Sequence, residues 1–321
     1  MKTILAYRFS AFGDVAMIVP VVREFLQQNK EVEIVMVTRN IYQDLFAGIS
    51  NLKIHPVKVD DYKGFVGMRK LSKELLSLYK PDFVADLHDV IRTKILNTIF
   101  SVKGFQVFKI DKGKLEKDHL TDVNNIDKIP LKRTVERYAD VFREIGFSLN
   151  LSHQLNLANL EKEGIGFAPF AQHSGKMLPL EKSFEVAKIL SKNHKIYFFG
   201  GGEGEKTTLD QWAQQIPNSE NLAGKLSLNE ELQVISGLKT MISMDSANMH
   251  LASLVGTRCV SVWGSTHPFA GFLGYGQSEE DVVQVKDLTC RPCSVFGDKE
   301  CYRGDYACLH EIDIQKIIDK I

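Results

Sequence analysis

Residues 240–264 constrain the fold of this chain more than any other stretch. A short apolar run at 241–244 gives way to an abrupt polar turn at Asp245 and Ser246. A helical run then ends at Gly256, and a second apolar run follows at 258–263. Two strands joined by a helix of this length pair in parallel, with the helix crossing one face of the sheet. The alternation recurs on both sides of this unit. In the first half, strand-like runs at 3–7, 32–37, 52–57, 83–87 and 105–109 alternate with helical ones at 15–28, 41–47, 67–79, 90–100 and 134–145. In the second half, strands at 164–168, 195–199, 221–223 and 281–286 join the two already named. Helices at 180–192, 205–215, 229–236, 247–255 and 312–320 separate them. Such a pattern predicts an α/β chain with parallel sheets covered on both faces.

Length and composition allow two such domains. The chain has 321 residues, of which 44% are apolar and 25% charged, as in a soluble globular protein. The polar stretch 148–163 places the boundary, giving domains 1–155 and 156–321, with the last helix a candidate to pack back on the N-terminal domain. Residues 111–130 are charged, carry Lys112, Lys114, Lys117 and Lys128, and lack an apolar period. They read as a functional loop or a mobile surface segment. No run approaches the roughly 18 apolar residues of a membrane span, and no signal peptide is evident, so a cytoplasmic location is expected. Net charge is zero, but residues 1–150 hold 24 Lys/Arg against 19 Asp/Glu, or +5, which leaves −5 for the rest. An electropositive N-terminal half suits an anionic partner or membrane surface.

Four loops at strand ends carry the residues that suit chemistry. Arg8-Phe-Ser-Ala-Phe-Gly13-Asp14 follows the first strand. There Gly13 allows a close turn, and Asp14 is either a helix cap or a carboxylate presented to a cleft. Pro169-Phe-Ala-Gln-His-Ser174-Gly-Lys176 sets one lysine beside small and hydroxyl residues, which suits a phosphate. Gly200-Gly-Gly-Glu203-Gly-Glu205 allows a ligand near the backbone, with a carboxylate for ribose hydroxyls. At Asp245-Ser246-Ala247 a helix begins, where free N–H groups and the positive end of the dipole favour pyrophosphate. These three loops of the second half together point to a nucleotide-diphosphate site. The cysteines are also clustered. Cys259 lies in an apolar strand, whereas Cys290, Cys293, Cys301 and Cys308 fall within nineteen residues. Their spacing allows a structural zinc, paired disulfides or free packed thiols, with the cytoplasmic setting against disulfides.

The combination resembles the heptosyltransferase family of glycosyltransferases. The matching pieces are Arg8-x4-Gly13-Asp14-x5-Pro20, Lys176-Met-Leu-Pro179, the glycine loop ending at Glu205, and Asp245-Ser-Ala-Asn-Met-His250-Leu-Ala252. The cysteine stretch is similar to the tail of many members. Two departures are Leu178, where the family usually has tryptophan, and Gln172-His-Ser-Gly175 in place of a threonine-rich loop. The resemblance implies a GT-B fold, two Rossmann-like domains whose parallel sheets face a central cleft. It further implies an ADP-heptose donor, a lipid-linked anionic glycan acceptor of the lipopolysaccharide inner core, and inverting transfer without a catalytic metal or other cofactor. Carried over by motif, Asp14 is the general base and Lys176 the phosphate-contacting lysine. Asp245, Ser246, Ala247 and His250 form the donor turn, Glu203 or Glu205 meets the nucleoside, and Leu226 packs on adenine. Peripheral contact with the inner face of the cytoplasmic membrane is implied, and no nucleic acid is. Another nucleotide-sugar transferase or an epimerase of the same fold, and a non-catalytic binding relative, stay open at this point.

Overall fold

The structure, a computed structural model, describes residues 1–156 and 162–321. Part of the expected boundary stretch, 157–161, lies outside them. The elements in chain order begin with β1 (Lys2–Tyr7), α1 (Phe12–Gln28), β2 (Val32–Arg39), β3 (Leu52–Val57) and α2 (Gly64–Tyr79). Then come β4 (Phe83–Asp86), α3 (Ile91–Val102), β5 (Val107–Lys109), α4 (Lys114–Leu120) and α5 (Thr134–Ile145). The second half continues with β6 (Ile165–Ala168), α6 (Leu180–Leu190), β7 (Ile196–Phe198), α7 (Glu203–Gln215), β8 (Ser219–Asn221) and α8 (Leu228–Ser236). It ends with β9 (Thr240–Met244), α9 (Ala247–Leu254), β10 (Cys259–Val262), β11 (Val282–Val283), α10 (Ala307–His310) and α11 (Gln315–Ile318). The short helix expected at 41–47 is a 3-10 helix, Asn40–Phe46.

Two compact units result, one formed by residues 1–112 and 134–152, the other by 113–133 and 153–321. The first holds a five-stranded sheet in the order β3-β2-β1-β4-β5, and every pairing is parallel. The second holds a six-stranded parallel sheet, β11-β10-β9-β6-β7-β8. Strands β6, β9 and β10 are buried along their whole length, as expected where helices cover both faces. In both sheets the chain order reverses beside the first strand of the unit. That reversal falls between β1 and β4 in one sheet and between β6 and β9 in the other. Open α/β sheets hold ligands at such points, outside the carboxyl ends of the strands.

Several sequence expectations need correction. Residues 113–133 belong to the second unit, although the domain limits put them in the first, and they contain α4. Leu120 of this segment is buried, Lys117 lies 4.4 Å over the Phe272 ring, and Leu131 N–H donates to Phe269 O. An apolar period is absent here, and one leucine, a lysine stem and a backbone bond take part in the docking instead. The first unit ends at residue 152, not 155. The strand at 281–286 shrinks to two residues, since β11 is an edge strand paired only at Ser261↔Val282 and Val262↔Val283. The last helix shortens to α11 and packs on the second unit. Ile317 is fully buried in that unit's core, and Lys182 Nζ donates to the carbonyls of His310 and Ile312. Leu178, the departure from tryptophan, is buried in the same core.

Candidate active site

In the first unit the chain leaves β1 at the sheet reversal and enters α1. Asp14 is the third residue of α1, with Gly13 before it in the first turn. Its carboxylate accepts only a long bond from Ala11 N–H (3.4 Å), so capping is the lesser of its contacts. Arg8 does more. This arginine is 5% exposed, and its guanidinium donates to Leu87 O at the end of β4 (2.6 Å) and pairs with Asp14 Oδ2 at 2.9 Å. The Tyr138 hydroxyl, reaching from α5, donates to Asp14 Oδ1 at 3.4 Å, and the Arg8 guanidinium lies 5.5 Å from the Tyr138 ring centre. Burial, with Asp14 beside it, raises the Tyr138 phenol well above its ordinary pKa, so it stays a neutral donor. A carboxylate held at both oxygens and still a quarter exposed (26%) is oriented yet reachable by a hydroxyl.

His88 closes this site from the β4 side. Its ring lies 3.3 Å from Ser10 Oγ and accepts weakly from Phe9 N–H (3.5 Å). The buried Asp86 fixes the turn by accepting from the N–H groups of His88 and Asp89, each at 2.8 Å. Burial, then the Arg8 and Lys112 charges, push the His88 pKa down to about 3. Unfolded, an imidazole titrates near 6.5. Between those values the unfolded chain binds more protons, so stability falls as pH drops through about 6.5 toward 3. His267 in the second unit, lowered by burial to about 4, acts in the same sense. We expect the melting temperature to fall across this window, and less steeply in His88→Gln; an unchanged slope would remove His88 from the account.

In the second unit the reversal sets the loop after β6 beside the turn after β9. Lys176, at the end of a 3-10 turn (Ser174–Lys176), pairs with Asp245 at 2.9 Å, their side chains 16% and 6% exposed. Asp245 also accepts from Thr266 Oγ1 (2.8 Å), which follows β10. Asp245 turns to Lys176 and Thr266, and Ser246 Oγ lies 3.1 Å from Ser243 Oγ. Among the described residues the N-cap residue Ser246 makes no side-chain capping bond to α9, which leaves the helix start open at that position. His250 is buried one turn into α9, whereas Ser174 is exposed at the loop surface. A lysine balanced by a carboxylate beside an uncapped helix start is a site an anionic diphosphate can enter.

The residues expected to meet the nucleoside lie farther along the same sheet edge, after β7 and β8. Glu205 folds back on its own loop and accepts from Gly201 N–H (2.8 Å). Glu203 is exposed at the first position of α7, and so is the better placed of the two to meet a ribose. Leu226 is half-buried just before Ser227, which caps α8 through a reciprocal pair with Glu230. Nothing among the described contacts joins Glu203, Glu205 or Leu226 to the Lys176–Asp245 pair.

The cysteine segment serves the site in a way the sequence did not suggest. Gly297 (φ +77) sits so close that an added Cβ would lie 2.4 Å from Lys176 Cγ, so the segment walls the lysine stem. Arg291, 5% exposed, donates to the carbonyls of Gly264, Thr266, Val285 and, at 3.3 Å, Trp263. Burial lowers its pKa to about 10. We expect Arg291→Ala to destabilise the fold by about 3 kcal/mol, since several buried carbonyls lose their donor; a calorimetric loss under about 1 kcal/mol would contradict this reading. Of the three readings left open for the four cysteines, the structure shows free thiols. Cys290, Cys293, Cys301 and Cys308 line one small pocket as free thiols, but no His/Cys/Asp/Glu group among the described residues gathers as metal ligands. Around that pocket Cys301 accepts from Tyr306 N–H, Cys293 reaches Ser265 O, and Cys308 packs into the core. Cys259 lies buried in β10, as its strand position implied.

The family model described as Glycosyltransferase family 9 (heptosyltransferase) matches residues 69–302. The chain belongs to this family. A curated relative named lipooligosaccharide heptosyltransferase 2, from Campylobacter jejuni, is 24% identical over 314 residues, 96% of this chain and 93% of that protein. Among solved structures, a family 9 glycosyl transferase from Veillonella parvula matches 99% of this chain and 95% of its own (TM-score 0.74, 18% identity). The E. coli heptosyltransferase WaaC, solved with ADP-2-deoxy-2-fluoro heptose, covers 99% of both chains (TM-score 0.70, 18% identity). The two-unit, parallel-sheet GT-B fold is therefore shared, and this family 9 glycosyltransferase carries the Asp14 and Lys176–Asp245 arrangements on it. Sequence reasoning quoted Arg8 within its motif but gave it no role, and missed Tyr138, His88, Thr266 and Arg291. Thr266 alone had a local signal, as a hydroxyl just past the end of a strand.

Proposed function

We propose that this glycosyltransferase moves a heptose from ADP-heptose to a lipid-linked anionic glycan of the lipopolysaccharide inner core, with inversion at the anomeric carbon. The Lys176–Asp245 pair beside the uncapped start of α9 carries the reading. Its support from relatives is that WaaC was solved with an ADP-heptose analogue and the Campylobacter protein is named a lipooligosaccharide heptosyltransferase. Lys176 and the N–H groups of Ala247 and its neighbours stabilise charge growing on the leaving ADP. Ser246, Ser174 and His250 shape that cradle, while Glu203 and Leu226 hold the nucleoside. Asp14 takes the proton of the acceptor hydroxyl as its oxygen attacks the carbon and the bond to ADP breaks. With those charges already stabilised, the step calls for no catalytic metal. The second unit binds donor, the first binds acceptor, and a nucleotide-sugar donor implies action on the cytoplasmic side. Calorimetry of ADP and UDP against the full chain tests the donor: ADP is expected to bind at least about tenfold more tightly. Equal affinities, or a preference for UDP, would overturn it.

A further inference from the structure

The four thiols between residues 290 and 308 share one small pocket, and the backbone that carries them is bonded to both loops of the Lys176–Asp245 pair. Cys293 N–H and Ser294 N–H donate to Ser265 O at 3.1 and 3.4 Å. Ser265, itself buried, grips Gly175 O twice, through its N–H and through its hydroxyl, each at 2.8 Å. Gly175 is the residue before Lys176. From the other side, Ser294 Oγ accepts from Gly297 N–H (2.8 Å), and Gly297 walls the lysine stem. Lys176 is thus held in place by residues that follow Cys293 directly in the chain.

Arg291, between Cys290 and Cys293, ties the same segment to the Asp245 side. Its guanidinium donates to Gly264 O (2.6 Å) and Thr266 O (2.8 Å), and Thr266 Oγ1 is the hydroxyl on Asp245. A backbone movement at either flanking cysteine therefore reaches Lys176 and Asp245 together. Cys290 and Cys293 are half-buried, so a small reagent can reach them, whereas Cys308 is buried. Cys301 is half-buried too, but its sulfur is engaged by Tyr306 N–H (3.3 Å). Burial, then the neighbouring Cys290 and Cys301, raise the Cys293 thiol pKa, which suits it to resolve a mixed disulfide rather than to attack first. The Cys-x-x-Cys spacing is one that redox dithiols use.

We propose that Cys290 and Cys293 form a reversible oxidation site, whose disulfide loosens the hold on Lys176 and lowers affinity for the donor diphosphate. The oxidant is a low-molecular-weight disulfide. The Cys290 thiolate attacks one of its sulfurs and releases a first thiolate. The Cys293 thiolate then attacks the Cys290 sulfur of the mixed disulfide and releases the second. The two cysteines lose two electrons and two protons, and the small disulfide becomes two thiols. Closing the bond brings the sulfurs to about 2 Å, which moves the backbone on both sides of Arg291. The effect on affinity rests on the donor site proposed above; the effect on Lys176 itself does not.

Treating the full chain with oxidised glutathione, then mapping its thiols by alkylation and peptide mass, tests it. The expected product is a Cys290–Cys293 disulfide without bound glutathione, reversed by dithiothreitol. Calorimetry should show ADP binding weakened more than about tenfold in the oxidised chain and restored on reduction. Lys176, paired and with its side chain 16% exposed in the reduced chain, should be acetylated faster after oxidation, a readout that needs no nucleotide. Cys290→Ser/Cys293→Ser and Cys290→Ala/Cys293→Ala should bind ADP as the reduced chain does and ignore the oxidant, whereas Cys301→Ser should keep the response. A disulfide elsewhere, stable glutathione adducts, thiols held closed by a copurified metal, or unchanged acetylation of Lys176 would each overturn the proposal. If neither form bound ADP while the Lys176 response persisted, the donor reading would fail and the oxidation site would stand.

Discussion

Replacing Asp14 with Asn is expected to lower transfer by about 10²–10⁴-fold while leaving ADP affinity within about twofold. The amide keeps the shape of the side chain but cannot take a proton. It also turns an ion pair with Arg8 (2.9 Å) into a neutral contact, leaving a buried guanidinium without its carboxylate. A modest loss of stability should therefore accompany the loss of rate, and Arg8→Lys should retain more of both than Arg8→Ala. The ratio of kcat to nucleotide affinity separates the two effects, since a purely structural role would damage both together. Transfer by the Asn variant within about tenfold of the original rate would remove Asp14 as the base.

Lys176→Ala is expected to weaken ADP binding and slow transfer together, by about 10²–10³-fold in kcat/KM. This variant also strips the 6%-exposed Asp245 side chain of its cation, leaving Thr266 Oγ1 at 2.8 Å as its side-chain partner among the described residues. An uncompensated buried carboxylate costs about 3 kcal/mol of stability. The double variant Lys176→Ala/Asp245→Ala tells binding from folding. Removing both charges should restore most of the stability but none of the ADP affinity, a coupling that a double-mutant cycle reads directly. Restored affinity in the double variant would mean that Lys176 matters only as the partner of Asp245.

Much of this arrangement was legible in the sequence because parallel sheets demand strands that are apolar throughout. Strands such as β6, β9 and β10 stand out for that reason, and the polar residues just past their ends become conspicuous. Asp14, Lys176 and Asp245 were visible in this way. Tyr138 was not: it lies 124 residues from Asp14, inside an ordinary amphipathic helix, and only the tertiary fold joins them. Arg291 was hidden for a related reason, since its partners are backbone carbonyls, which no side-chain pattern reports. The docking of 113–133 on the second unit involves one buried leucine, a lysine stem and a backbone bond, too few apolar residues to make a period. The four cysteines left three readings open because spacing in sequence does not fix where sulfurs point; here they line one small pocket as free thiols, in a segment that walls Lys176.

The central claim is that this chain transfers heptose from an ADP-linked donor. Incubating it with a panel of ADP- and UDP-sugars and an inner-core lipid acceptor, and following nucleotide release with the mass of the acceptor, tests that most directly. ADP released from ADP-heptose, with one heptose added to the acceptor and inverted anomeric configuration, is the predicted result. Turnover of UDP-sugars with none of ADP-heptose, or nucleotide binding without any transfer, would contradict it.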